Sequence, residues 1–365
     1  MAARKTLYRR PDLRARNPGI ILLYNPLHAE MNLFEMVWFG RLEDLMIDHI
    51  LVPLDGSTLA EYVLPHVKAM APVMNAHITL LHVMENPRNK DETLTIDPVN
   101  WHLRKHKLEI YLEKITERLR SSGLNVESAI LEGDPSESIV EYARNEDVDL
   151  IALSTHGNSG LSKWNVSSVV QKVLQLSYKS ILLVRAYKPK ADAAGVRYKR
   201  IFVGLDGSAR SEFILPVAIT MAQAYKSRLL LGTVIQRPQL VQRFPPSEED
   251  AKLLNQIVEK NFQAATHYVD QIKHQFASQE LKLNTHIVIG DNAISILHDL
   301  VEEARADLVM LVAHGISGER RWPYGSVTNS FIAYGSTPVM IMQDLASGEI
   351  QHTHAERAIK EGKGH

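Results

Sequence analysis

The chain contains no cysteine among its 365 residues. This absence excludes disulfides, thiolate zinc sites and a cysteine nucleophile, so any chemistry must use oxygen, nitrogen or backbone groups. An excess of charge of one sign is also missing, since 41 Lys and Arg residues stand against 42 Asp and Glu residues. No overall field therefore draws the chain to nucleic acid or to an anionic membrane, and we expect neither as a partner.

Long hydrophobic runs are missing as well, including from the first 48 residues, which differ in character from the rest of the chain. This stretch is basic at its start and contains three prolines. Its apolar run, Ile20 to Tyr24, is too short for a signal-peptide core or a membrane span. We expect residues 1–46 to be a disordered or loosely packed extension, or to precede a native start at Met46. Since no signal peptide or membrane span is expected, we predict a cytoplasmic localisation.

What the sequence does contain is an internal repeat. Leu54-Asp55-Gly56-Ser57 recurs as Leu205-Asp206-Gly207-Ser208, a separation of 205 minus 54, or 151, residues. Three later landmarks recur in the same order, namely Gly133-Asp134 with Gly290-Asp291, His156-Gly157 with His314-Gly315, and Ser167-Ser168-Val169 with Gly325-Ser326-Val327. Four ordered matches indicate two related domains, at 47–187 and 199–345, with a linker at 188–198 and a mobile tail at 346–365.

Each copy alternates short aliphatic or β-branched runs with longer amphipathic stretches, which is typical of parallel strands joined by right-handed helical crossovers. The predicted strands lie near 49–54, 77–84, 125–131, 149–154 and 180–185, and near 200–205, 228–235, 282–289, 307–313 and 337–342. The predicted fold class is therefore α/β, with two doubly wound five-stranded parallel-sheet modules in tandem. We expect the modules to pack through their final strands as two sheets, and not as one continuous sheet.

One aspartate follows the first predicted strand of each copy, at the edge where doubly wound sheets bind their ligands. Asp55 and Asp206 each precede Gly-Ser in the repeat. A carboxylate at this place can accept ribose hydroxyls or help to hold a phosphate-bound metal ion. The alternative is that each Asp, together with the Gly-Ser after it, only caps the next helix.

The loop after the fourth strand carries the second repeated motif. In the second copy, Gly315 is followed after nine residues by Gly325 and Ser326 at the start of a helix. Glycine lets the backbone approach a phosphate closely, and the amides of a helix start supply donors to the anion. The first copy has Gly157, nine residues and then Ser167, so its phosphate cradle lacks the second glycine. The alternative is a simple helix cap.

These residues resemble the ATP-binding branch of the universal stress protein family over about residues 47–344. That branch has a small residue, two positions, Gly, nine positions, and then Gly with Ser or Thr after the fourth strand. The resemblance implies that Asp206 lies near the ribose and Val234 against adenine, and that the phosphates are surrounded by Gly315, Gly325, Ser326 and Val327. The matching positions of the first copy are Pro53, Asp55, Val83, Ser154, Gly157, Ser167 and Ser168.

Departures from the family motif predict unequal sites. Ser154 and Val312 stand at the first, small-residue position of the motif, where the family has glycine, and Ser167 stands where it has its last glycine. We expect the second copy to bind ATP more tightly because it retains Gly325. A serine at that turn adds a Cβ where the phosphate should meet the backbone, and it should strain a glycine-like conformation.

The resemblance also implies a ligand and an assembly. The ligand is ATP, alone or with Mg²⁺ or Mn²⁺. The assembly is a two-fold association of modules through their last strands, either as an internal pseudo-dimer or as a homodimer. Exposed aliphatic edge strands need covering, which favours such a contact independently.

The function hypothesis is a tandem universal stress protein that binds ATP or a related adenine nucleotide in stress response or signalling. It is not predicted to be a fast catalyst, because the chain has no Walker lysine motif, no serine-rich pyrophosphatase loop and no repeated acid/base pair. His156 and His314 recur, but they are interpreted as loop hydrogen-bonding residues. No metal cluster is predicted, since His102 and His106 lack a completing carboxylate. A nucleotide-free scaffold protein and a slow ATPase or adenylyl-type enzyme remain alternatives.

Overall fold

The structure is a computed structural model, and it describes residues 47–85, 97–156, 166–186, 195–238, 247–315 and 323–344. The predicted extension at 1–46, the predicted tail and most of the predicted linker lie outside the described residues. Within the part of the chain that is described, no helix is long and apolar enough to cross a membrane.

Strands and α-helices alternate along the described chain. The first module contains β1 (His49–Pro53), α1 (Leu64–Met74), β2 (His77–Met84), α2 (Pro98–Arg120), β3 (Val126–Glu132), α3 (Pro135–Asn145), β4 (Leu150–Ser154), α4 (Ser168–Leu176) and β5 (Ser180–Val184). The second module contains β6 (Arg200–Gly204), α5 (Leu215–Tyr225), β7 (Arg228–Gln236), α6 (Glu248–Gln275), β8 (Lys282–Gly290), α7 (Ala293–Glu303), β9 (Leu308–Val312), α8 (Ser326–Tyr334) and β10 (Val339–Met342). All ten predicted strands are confirmed.

Each module has the strand order of a doubly wound parallel sheet. The order in the first module is β3-β2-β1-β4-β5, and the second module repeats it as β8-β7-β6-β9-β10. The direction of winding reverses between β1 and β4 and between β6 and β9. At such a point the loops leave in opposite directions, so a crevice opens beyond the carboxyl ends of the strands. The predicted α/β fold class with two five-stranded parallel modules is confirmed.

The expectation of two separate sheets is wrong. β5 and β10 pair antiparallel, with Leu182 opposite Met340, and join the modules into one ten-stranded sheet. Every residue of both strands is buried. A buried last strand without a neighbour would leave backbone amides and carbonyls unpaired away from water. Direct pairing of β5 with β10 gives hydrogen-bond partners to the edge amides and carbonyls of both strands. Face-to-face packing of two sheets would leave these groups unpaired.

Helices α1 and α5 lie beside a second contact between the modules. His66 Nδ1 lies 2.8 Å from the hydroxyl of Tyr198, and the hydroxyl of Tyr225 donates to the Ala69 carbonyl at 2.6 Å. Burial lowers the pKa of His66 from its usual 6.5 to about 4. The physical cause is the lost hydration of the charged imidazolium.

We expect the His66 contact to make the fold sensitive to acid. A histidine with a lower pKa in the folded chain takes up a proton on unfolding once the pH falls below the unfolded value of about 6.5. His66 should therefore remove about 2 kcal/mol from the free energy of unfolding between pH 7 and pH 5. Chemical denaturation of the wild type and of His66→Phe at both pH values measures this. The same pH dependence in both proteins would contradict it.

One core contact differs between the modules. Phe202 of β6 lies across Gly232 of β7, so closely that a Cβ added to that glycine would overlap the phenyl ring. The first module has Leu51 and Leu81 at the same places in β1 and β2, and both are buried in the hydrophobic core. One large side chain beside a glycine thus replaces two of intermediate size.

Candidate functional site

The two Asp-Gly-Ser repeats form the turn after the first strand of each module. Asp55 Oδ1 accepts the Ser57 amide at 2.9 Å, and Asp206 Oδ1 accepts the Ser208 amide at 3.0 Å. The intervening glycine has a φ of +84° in the first module and +81° in the second, a left-handed conformation that costs glycine no steric energy. Each aspartate therefore closes its own turn through Oδ1 and does not cap a helix, since the helical segments that follow begin after Leu59 and Arg210 without a side-chain cap.

In the second module, Asp206 also reaches the loop that follows β9. Its Oδ2 lies so close to Gly315 that a Cβ on that glycine would overlap it. The amide of Gly325 donates to the Ala313 carbonyl at 2.7 Å, which holds the start of α8 beside the end of β9. The strand-end carboxylate, the loop glycine and the helix start are thus brought to one edge of the sheet. The remaining predicted positions are Ser326 and Val327 in the first turn of α8, and Val234, half-buried near the end of β7.

The backbone conformation at the starts of α4 and α8 differs from the prediction of strain at Ser167. Ser167 has a φ of −58° and Gly325 has a φ of −72°, so neither is in the left-handed region that favours glycine. A Cβ at Gly325 would lie 3.5 Å from the Ala313 carbonyl, which is an ordinary contact. The expected strain at Ser167 is therefore wrong. What differs is capping, because Ser167 Oγ accepts the Val170 amide at 3.3 Å, whereas Gly325 has no side chain to do so.

A cavity of about 600 Å³ opens at the carboxyl edge of the first module. This volume is typical of small-molecule and cofactor pockets. The ends of β1, β2 and β4 and the start of α4 supply much of the wall. Six of the seven positions predicted in this module line it, namely Pro53, Asp55, Val83, Ser154, Ser167 and Ser168. The seventh, Gly157, lies outside the described residues.

The cavity also contains polar residues that the sequence analysis missed. His82 and Glu85 stand at the end of β2, and Arg104 and Lys107 come from α2. The three-residue spacing of the basic pair is a signal that could have found it, because it places both side chains on one face of a helix. Arg104 and Lys107 bring two positive charges, and Glu85 one negative charge, to a cavity whose predicted lining is apolar, hydroxylic or acidic.

His82 is a buried histidine in the cavity wall. Its Nδ1 lies 2.8 Å from the Leu54 carbonyl. Burial lowers the pKa of His82, and the hydrogen bond to Leu54 opposes this shift in part. The ring is therefore neutral at pH 7, with the proton on Nδ1 and an acceptor at Nε2. At the same place in β7 the second module has Thr233, so the two crevices differ in their hydrogen-bonding groups.

The recurring histidines have different partners in the two modules. His156 Nδ1 lies 2.9 Å from Thr155 Oγ1. His314 Nδ1 lies 2.8 Å from Asp344 Oδ1, and Arg210 Nε lies 3.6 Å from Asp344 Oδ2. The side chains of His314 and Asp344 are both 0% exposed. The buried His314–Asp344 pair ties the loop after β9 to the segment that follows β10, with Arg210 partly exposed beside it.

Fold and site together define a tandem, doubly wound α/β protein with its candidate site at the carboxyl ends of its strands. A sequence profile described as the universal stress protein family matches residues 46–185 and again residues 197–343. The two matches coincide with the two modules. The chain belongs to the universal stress protein family, as a member with two such domains in tandem.

Two curated relatives each match this chain over the length of one module. A universal stress protein of Methanocaldococcus jannaschii is 30% identical over 156 residues, which cover 39% of this chain and 96% of that protein. One of Bacillus subtilis is 30% identical over 149 residues, covering 38% of this chain and all of that protein. Among solved structures, a universal stress protein of Archaeoglobus fulgidus covers 82% of this chain and 99% of its own, with a TM-score of 0.59 and 18% identity. This last likeness supports the fold.

Proposed function

We propose that this tandem universal stress protein binds ATP or a related adenine nucleotide at the carboxyl edges of its modules. The observation that carries the proposal is the cavity of about 600 Å³ in the first module, because the positions predicted to surround a nucleotide line it. Binding, rather than fast turnover, is the proposed activity, in stress response or signalling. A cytoplasmic location belongs to the proposal, since a chain without cysteine fits a reducing compartment.

The cavity has the groups that a nucleotide requires. Val83 offers an apolar wall for the base, and Asp55 offers a carboxylate for the ribose hydroxyls. The start of α4 provides backbone amides and the Ser168 hydroxyl for the phosphates. Arg104 and Lys107 would balance the phosphate charge. A Mg²⁺ or Mn²⁺ ion carried by the phosphates would find oxygen ligands here, including the Asp55 carboxylate.

The pairing of the last strands supports a proposal about assembly. β5 and β10 already supply each other with backbone hydrogen bonds within one chain. A second chain would have to break this pairing in order to associate through the same strands. We therefore propose an internal pseudo-dimer rather than a homodimer through β5 and β10.

Mass spectrometry of the ligand released by denaturing the purified protein tests the nucleotide proposal, followed by calorimetric titration of the emptied protein with ATP. We expect an adenine nucleotide in the released fraction and saturable binding with a stoichiometry of one or two. AMP and GTP serve as controls for the phosphates and the base. If no nucleotide is released and no ATP binding is measurable, the nucleotide-free scaffold is favoured instead.

The two sites should differ in affinity because their helix starts differ. In the first module a phosphate has to compete with Ser167 Oγ for the Val170 amide, whereas the α8 start has no such side chain. One displaced hydrogen bond of about 1 kcal/mol corresponds to roughly fivefold in affinity. We expect Ser167→Gly to strengthen the first site by about this factor and Gly325→Ser to weaken the second. Titration of the wild type and of both variants with ATP measures these affinities. A wild type in which the first site binds ATP more tightly than the second would contradict the prediction.

A further inference from the structure

Three metal-ligating side chains meet at the opposite edge of the first module, where its strands begin. His49 and His77 are the first residues of β1 and β2, and Glu127 is the second residue of β3. The ligand atoms of the three side chains all lie within 4.8 Å of one another. The strand register explains this cluster, because His49 pairs with His77 while Glu127 pairs with Thr79, two residues beyond His77 on the same face.

Hydrogen bonding prepares His49 for a metal ion. Its Nδ1 lies 3.0 Å from the Glu146 carbonyl, which can only accept, so Nδ1 carries the proton. In the neutral ring, Nε2 then presents a lone pair, 2.9 Å from Thr79 Oγ1. Metal-binding histidines usually donate their other N–H to a carbonyl or carboxylate in this manner, which fixes both tautomer and orientation. His49 is 4% exposed, so its ring is also held by its surroundings.

The hydroxyl of Thr79 lies between two acceptors. It stands 2.9 Å from His49 Nε2, and it donates to Glu127 Oε1 at 2.9 Å. A hydroxyl has one proton, so it cannot serve the imidazole lone pair and the carboxylate at the same time. A cation placed among these groups would interact favourably with both acceptors.

Two imidazoles and a carboxylate are a donor set that zinc prefers. Tetrahedral Zn²⁺ with bonds of about 2.0–2.2 Å keeps its ligand atoms roughly 3.3–3.6 Å apart, so the three atoms need to close by only about 1.5 Å at most. The rings of His49 and His77 now stack, with centroids 3.9 Å apart. His77 is half-buried and Glu127 is exposed, so both side chains have room to turn, and a water molecule would complete four ligands.

The second module shows that the fold does not require these residues. Arg200 and Arg228 are the first residues of β6 and β7 and pair with each other, as His49 and His77 do. Asn284 takes the place of Glu127, opposite the third residue of β7. Two guanidinium groups would repel a cation, so the second module provides a matched comparison within the same chain.

We propose that His49, His77 and Glu127 form a binding site for Zn²⁺ at the edge of the first module where its strands begin. The site lies one strand length from the proposed nucleotide cavity, which is roughly 16 Å for five residues at about 3.3 Å each. A zinc ion here links β1, β2 and β3 and adds its binding energy to the stability of the fold. The site does not depend on the proposed nucleotide function.

Titration of the full chain, freed of nucleotide, with Co²⁺ tests this site, because tetrahedral Co²⁺ absorbs visible light and Zn²⁺ does not. We expect one Co²⁺ to give this absorption and Zn²⁺ to displace it. His77→Arg and Glu127→Asn place the residues of the second module in the first, and each should weaken binding at least about tenfold. Excess Zn²⁺ should raise the melting temperature of the wild type but not of these variants.

The double variant His102→Ala/His106→Ala is the control, because it removes the other histidine pair and should keep the Co²⁺ absorption. Histidines elsewhere in the chain are common to all the proteins and cancel in the comparison. Circular dichroism establishes that each variant is folded. No visible absorption from the wild type would overturn the proposal. Absorption that persists in both His77→Arg and Glu127→Asn, or that is lost in the control, would overturn it equally.

Discussion

Val83→Trp should abolish nucleotide binding by the first module, with a loss of at least about a hundredfold in affinity. Val83 is half-buried near the end of β2 and lines the cavity at the position proposed to contact the base. An indole there would fill the space that the base needs, and packed protein interiors adjust little to extra volume. A hundredfold loss in affinity corresponds to about 2.7 kcal/mol.

Calorimetric titration with ATP measures this effect together with the matched variant Val234→Trp in the second module. If both modules bind, each single variant should lose one binding event and the double variant should lose both. Denaturation midpoints close to that of the wild type would show that the indole fills a cavity and does not disrupt the core. Unchanged affinity and stoichiometry in Val83→Trp would mean that the cavity is not the nucleotide site.

Gly232→Leu should lower the free energy of unfolding by about 3 kcal/mol or more, the upper end of the usual cost of overpacking. The ring of Phe202 already occupies the space beside Gly232, so even a Cβ would overlap it. Phe202→Leu should cost about 1–2 kcal/mol on its own, since it leaves a small cavity. The double variant recreates the Leu51 and Leu81 pair of the first module, and it should be more stable than Gly232→Leu alone.

Chemical denaturation of the wild type, both single variants and the double variant completes a thermodynamic cycle. We expect a coupling energy of at least about 2 kcal/mol, because the two side chains share one volume. Comparison of transition midpoints avoids the assumption that both modules unfold in a single step. Additive effects of the two substitutions would mean that Phe202 moves aside without cost. The packing of Phe202 against Gly232 would then contribute no coupling to the free energy of unfolding.

The strands were predictable because their signals are local. Short apolar runs such as Ile201–Val203 and Val309–Leu311 are buried on both faces of the sheet, and their composition alone distinguishes them from the amphipathic helices between them. The Asp-Gly-Ser turns were equally predictable. A glycine at positive φ next to a capping aspartate is a property of three consecutive residues.

The candidate site was predictable only in part. Asp55 was expected at this edge from its place after the first strand, and Ser154 from the family resemblance, and both residues line the cavity. Arg104 and Lys107 were missed because, although their spacing places them on one helix face, only the packing of α2 across the sheet brings that face to the cavity. The strain expected at Ser167 was also wrong, since the backbone conformation of a helix start depends on the loop before it.

By itself, the sequence determined the elements, the duplication and the turn chemistry, because each of these depends on neighbouring residues and on the periodicity of apolar side chains. Only the tertiary structure decided that β5 and β10 form one continuous sheet, since pairing of two edges depends on backbone groups and not on side-chain pattern. It likewise decided that His49, His77 and Glu127 meet, because three residues spread over three strands become neighbours only through the register of the sheet.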